Sequence, residues 1–159
     1  MMKKTALLSV AGVLAGVLLT GLLIFLSAQS VMLKEEQSNY DFEQSVLVFE
    51  ESALSNGWKI PATHDMQETM ANFGKDVLQA KVFELCHPEH AYEILSRDKE
   101  RIVMSMMPCR VAIYEKSDGK TYVSWMNTGL VGGMMKGVVP KVMKQASRES
   151  ELIVAPLIQ

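Results

Sequence analysis

The sequence predicts an α+β fold, a single domain with an antiparallel sheet packed by helices, preceded by one N-terminal transmembrane helix. Three observations carry this. The chain has 159 residues, room for about one domain of ~100–150 residues. Its stretch Thr5–Leu26 has 16 apolar residues in 22 and lies inside an uncharged run that reaches Leu33. From residue 31 onward helix-period and strand-period patterns alternate with no repeat, low-complexity segment or long linker. Apolar residues make up 48% of the chain, 16 Lys and Arg face 18 Asp and Glu, and there are two cysteines. That composition excludes a disordered chain, a cysteine-stapled mini-protein and a collagen, and the length excludes a multi-domain enzyme.

As a helix, Thr5–Leu26 spans ~33 Å at ~1.5 Å per residue, enough for a hydrocarbon core of about 30 Å. A cleaved signal peptide is the rival reading. Its apolar stretch runs only ~7–15 residues and ends in a small-x-small site, which Ser27-Ala28-Gln29-Ser30 fits poorly. Lys3 and Lys4 precede the segment, and basic residues stay in the cytoplasm. The expectation is therefore a single-pass protein of the inner (cytoplasmic) membrane with its domain on the extracytoplasmic, periplasmic side. Gly12 and Gly16 form a GxxxG with Ser9 and Thr20 one turn away on either side, a stripe on which a second helix can approach closely. The bland alternative is a glycine-rich helix facing lipid.

The elements follow in order. Val31–Glu36 reads as strand. Asp41 followed by Gln44 is a capped helix start, and Phe42, Val46, Phe49 and Ala53 share one face until Asn56-Gly57 stops the helix. Trp58-Lys59-Ile60 is strand-like, Asp65 with Glu68 caps a short helix Met66–Phe73 ended by Gly74, and Lys81–Leu85 is extended. Pro88 suits the first turn of a helix Pro88–Ser96 entered at Cys86 or His87, since proline lacks the amide proton that position cannot use. Arg101–Lys116 reads as one long strand with Val103, Ser105, Met107, Cys109, Val111 and Ile113 on one face. Ser117-Asp118-Gly119 turns it back. A two-residue turn pairs Ile113 with Ser124; a three-residue loop with Gly119 left-handed pairs Ile113 with Val123 and Val111 with Trp125, burying like with like. A final helix Pro140–Leu152, with Val142, Met143 and Ala146 on one side, is expected to cover the sheet.

Taken together, Ser38-Asn39-Tyr40-Asp41-Phe42, Gly57-Trp58, Cys86-His87-Pro88, Pro108-Cys109-Arg110-Val111, Tyr114-Glu115 and Asp118-Gly119-Lys120 resemble the domain of unknown function 302 family, in the branch with one cysteine before a proline and another after one. The resemblance covers about residues 31–126. It implies a fold similar to the TATA-binding-protein-like architecture and no established reaction. The resulting division is a basic cytoplasmic N-terminus at 1–4, a transmembrane helix at 5–26, a linker at 27–30, the family-like domain at 31–126 and a helical extension at 127–159.

Chemistry concentrates on Cys86, His87, His90 and Cys109. In an oxidising compartment two cysteines can pair, and closing a loop of ~24 residues contributes roughly 3 kcal/mol. Alternatively, Cys86 sits just before a helix start, where unpaired amides favour a thiolate, and His90 one turn on faces the same point. Cys86, Cys109 and His90 then form a metal set for copper or zinc, or hold a haem-like group, with Met104, Met106, Met107, Met126, Met134 and Met135 offering thioethers to Cu(I). Methionines filling a core are the bland reading. Thiol redox or sulfur handling through Cys86 and Cys109 is a further alternative. A Cys-x-x-Cys pair is absent, which gives no support to a thioredoxin-type dithiol or c-type haem attachment. His64 reads as a capping or surface residue, and no catalytic residue is assigned.

Residues 5–159 carry 14 basic side chains against 18 acidic ones, a net charge of −4, whereas phosphate binding needs concentrated positive charge, so nucleic acid is not expected as a partner. The membrane is the expected partner, with a homo-oligomer formed through the transmembrane helix or the domain. Lys136, Lys141, Lys144 and Arg148 line one side of the last helix, read as a solvated face with contact to anionic headgroups as the alternative. The reading is an accessory or binding module, or a purely structural interaction domain with a disulfide, rather than a turnover enzyme.

Overall fold

The computed structural model describes residues 2–158, with the side chains of residues 2–11, 15, 24, 27 and 29 outside that description. The chain divides into two compact units at Val31 and Met32. The first is helix α1, Met2–Met32. It continues through residues 27–30, expected as a linker, because no glycine or proline there interrupts it. Among the described residues no helix is long and apolar enough to cross a membrane. In the expected span Thr5–Leu26 the side chains of Thr5–Ala11, Ala15 and Ile24 lie outside the description, Ser9 of the glycine stripe among them. Gly12 and Gly16 are exposed, and a Cβ added at either meets nothing within 4 Å.

The second unit contains β1 (Leu33–Gln37), α2 (Phe42–Ser55), β2 (Lys59–Asp65), α3 (Met66–Ala71), β3 (Ala80–Cys86), α4 (Pro88–Leu95), a 3-10 helix (Glu100–Met106), β4 (Cys109–Glu115), β5 (Thr121–Met126), α5 (Thr128–Gly133) and α6 (Val139–Ile158). The strands form one sheet in the order β1-β5-β4-β3-β2, every neighbour antiparallel. Charge protects one edge through Lys34, Glu35 and Glu36. At the other edge Pro61, which has no amide to give a ladder, lies where the β2–β3 register shifts between Lys59 and Ala62.

Helices α2 and α6 cover one face of the sheet. Phe42, Val46, Phe49 and Ala53 of α2, and Ala146, Ile153, Val154 and Leu157 of α6, join Phe83, Leu85, Val111, Ile113, Val123 and Trp125 in one buried core. Asp41 caps α2 by accepting from the Gln44 amide at 2.9 Å, and Asp65 caps α3 by accepting from the Glu68 amide at 2.9 Å. The β4–β5 hairpin takes the three-residue register, with Ile113 opposite Val123, Val111 opposite Trp125, and Gly119 at φ +75°. A smaller core of Ile94, Val103, Val139, Val142 and Met143 ties α4 and the 3-10 helix to α6.

One expected element is corrected. Arg101–Lys116 is not a single strand: Glu100–Met106 is 3-10 helix and β4 begins only at Cys109. Pro108 explains the break, because it donates no ladder hydrogen bond and interrupts an otherwise alternating run. Val103 therefore leaves the sheet and packs against Ile94 in the smaller core. The final helix covers the sheet as expected, and α5 and α6 belong to the same compact unit as the strands.

Candidate functional site

Strand β3 ends at Cys86, and the next residue, His87, is the N-cap of α4 with extended backbone at φ −101° and ψ 116°. An N-cap usually carries a small oxygen-bearing side chain that accepts from the residue three positions on. His87 makes no such cap. Pro88 follows at the first helical position, so His90 stands at the third, the position whose side chain turns back toward the cap. The two imidazoles stack at 4.2 Å between centroids and 28° between planes. Buried Trp58 meets both edge-on, at 5.6 Å from His87 and 5.8 Å from His90.

Glu149 comes from α6. It lies three residues past Ala146 and four before Ile153, both in the core, so it sits beside the apolar stripe and is half-buried. His90 Nε2 is 2.8 Å from Glu149 Oε2, Trp58 Nε1 donates to that same oxygen at 3.0 Å, and Gln145 Nε2 donates to Oε1 at 3.0 Å. Burial acts to raise the Glu149 pKa, but the hydrogen bonds from His90, Gln145 and Trp58 and the charge of His90 outweigh it and hold the carboxyl below its ordinary value. His87 Nδ1 is buried and has no hydrogen-bond partner. A nitrogen of His87, a nitrogen of His90 and an oxygen of Glu149 lie within 4.8 Å of one another, the one such group of metal-capable side chains among the described residues.

His87 and His90 border a cavity of about 30 Å³, also lined by Trp58, Cys86, Cys109 and Met143. Such a volume holds a single ion or one or two waters, far below the ~300 Å³ at which small-molecule pockets begin.

The expected residues are thus only partly gathered as anticipated. His87 and His90 come together, while Cys86 and Cys109 line the cavity but stand outside the three-ligand group. Cys109 pairs in register with Leu85, and both cysteines are free. Burial, with the neighbouring Cys86, pushes the Cys109 thiol up to about 11, so it remains protonated at neutral pH. His64 stands apart on β2, exposed, 3.1 Å from Glu84 Oε1. Met106, Met107 and Met126 line a second cavity, while Met104 and Met134 are exposed and Met135 packs on the smaller core.

Glu149 is the residue that sequence reasoning missed. One signal pointed to it, an acid beside the apolar stripe of a helix expected to cover the sheet, at the spacing of Val142, Ala146 and Ile153.

A solved relative shares this architecture: the crystal structure of an uncharacterized conserved protein DUF302 from Bacillus stearothermophilus superposes with a TM-score of 0.71 over 79% of this chain and 98% of its own, at 16% identity. At that identity the likeness shows the fold. No curated protein matches the sequence. Residues 34–154 match the family described as "Domain of unknown function DUF302". The match extends past the 31–126 stretch of the resemblance and takes in most of α6, the helix that carries Glu149. Sheet, covering helices and matched residues agree, and the chain belongs to the DUF302 family.

Proposed function

We propose that this protein is a membrane-anchored, extracytoplasmic accessory module that binds one transition-metal ion through His87, His90 and Glu149. The observation that carries the reading is the convergence of three ligand atoms within 4.8 Å from two separate helices. Two imidazoles and a carboxylate are a ligand set for a borderline divalent ion, with Zn²⁺ the plain case. The partners around the carboxylate support it, because Trp58 and Gln145 each hold an oxygen of Glu149 in place, as outer-shell donors do at metal sites. An ion there takes the place of the hydrogen bond between His90 Nε2 and Glu149 Oε2, and its binding weakens in acid because protons compete for the ligand atoms. The cavity of about 30 Å³ suits an ion and has no room for a haem macrocycle.

Anchoring rests on Thr5–Leu26, whose 22 residues and 16 apolar side chains match the hydrocarbon thickness, and on Lys3 and Lys4 before it. Thiol redox through Cys86 and Cys109 has less support, since the half-buried Cys109 thiol is pushed up to about 11. The test is zinc affinity of the full chain in detergent by chelator competition. Wild type binds one equivalent, and Glu149→Gln and His90→Gln each weaken it at least tenfold, in line with the ~10–100-fold seen even for outer-shell partners. Wild-type protein that retains no zinc, or a Glu149→Gln variant with unchanged affinity, overturns the reading.

A further inference from the structure

A second cavity, of about 180 Å³, adjoins the first and shares Met107, Pro108 and Cys109 as a common wall. Its remaining lining includes Met106 at the end of the 3-10 helix and Met126 at the end of β5. Three of the chain's 12 methionines thus line one cavity together with a cysteine. Core filling accounts for part of this, as Met106 and Met107 also touch the smaller core. It does not account for Met126, which is 40% exposed, or for a cavity left open beside four sulfur-bearing side chains.

From this juxtaposition we infer that the Met106, Met107, Met126 and Cys109 cavity is a binding site for a soft monovalent cation, Cu(I), distinct from the His87, His90 and Glu149 site. Thioethers are neutral, polarisable donors that match a soft ion of single charge and give little to Zn²⁺ or Mg²⁺, and Cys109 joins them as a thiolate, its proton passing to solvent as the ion binds. The one cationic group at the opening, Arg110, is held by Glu84, its Nη2 3.3 Å from Glu84 Oε1. The inference goes beyond the proposed function and does not depend on it.

The experiment is a titration of the full chain, in detergent and chloride-free buffer, with Ag(I) as the redox-inert probe for Cu(I), followed through ¹³C-labelled methionine methyl signals. Signals of Met106, Met107 and Met126 are expected to shift and saturate near one equivalent, in wild type and equally in a His90→Gln/Glu149→Gln variant. Met104 and Met134, 52% and 72% exposed, are the internal controls and stay unmoved over that range. Met126→Leu, at a position whose exposure makes misfolding a small concern, lowers Ag(I) affinity at least tenfold. The inference is overturned if all exposed methionines shift together, if the three lining methyls do not move, or if Met126→Leu binds as wild type. Loss of zinc binding with intact methyl shifts defeats the histidine site alone.

Discussion

At the scale of single residues the site turns on which group holds which proton. Glu149 is held below its ordinary carboxyl value, so its contribution to stability is present above the unfolded value, near 4.5, and is lost as pH falls through its lowered native value. Urea midpoints of the metal-free protein between pH 3 and pH 6 will fall toward acid, and Glu149→Gln will flatten that fall; a superimposable acid limb in the variant would count against the carboxylate's role. Cys109 has the opposite sign. Its thiol is raised from 9.0 to about 11, chiefly by burial, so its contribution is complete below about pH 9 and is lost as pH rises toward 11. Alkylation with iodoacetamide at pH 8, read by peptide mass, is predicted to label Cys86 before Cys109. Equal labelling would contradict the burial argument.

Among elements, α5 packs closely on α6, the helix that carries Glu149. A Cβ on Gly132 would stand 2.2 Å from Met143 Cβ, whereas one on Gly133 meets nothing within 4 Å. Gly132→Ala is therefore expected to cost about 1–3 kcal/mol by overpacking, and Gly133→Ala to be neutral or to stabilise by up to ~1 kcal/mol through the unfolded chain. Urea unfolding of the pair checks this, and equal effects would show that α5 does not pack on Met143 as described. The elements themselves were largely legible. Asp41 and Asp65 announced their caps, and the Ile113–Val123 register followed from burying like against like. The 3-10 helix was not legible, because residues 101–107 alternate as a strand does, and only Pro108 marks the interruption. His87 was legible as a helix entry but not as a ring left free of capping.

Across the whole molecule, the sequence indicated an α+β domain with sulfur and imidazole near one helix start. It did not indicate that α6 completes the site, because Glu149 lies 59 residues from His90 and only the packing of α6 on the sheet brings them to 2.8 Å. The four candidate residues all line one cavity, but Glu149 was missed for the same reason: spacing along a chain fixes neighbours on one helix, while a third side chain beside the two histidines is a matter of tertiary contact. If Thr5–Leu26 threads the bilayer, alkaline carbonate leaves the full chain in the membrane pellet, and Gly12→Ile with Gly16→Ile abolishes any crosslinked dimer formed through α1. Release of wild type into the supernatant would refute the anchor. Zinc K-edge absorption of the loaded full chain probes the metal reading most directly. A shell of nitrogen and oxygen at about 2.0–2.1 Å with imidazole outer-shell scattering and no sulfur is predicted, and a sulfur shell at about 2.3 Å would place the cysteines, rather than Glu149, on the metal.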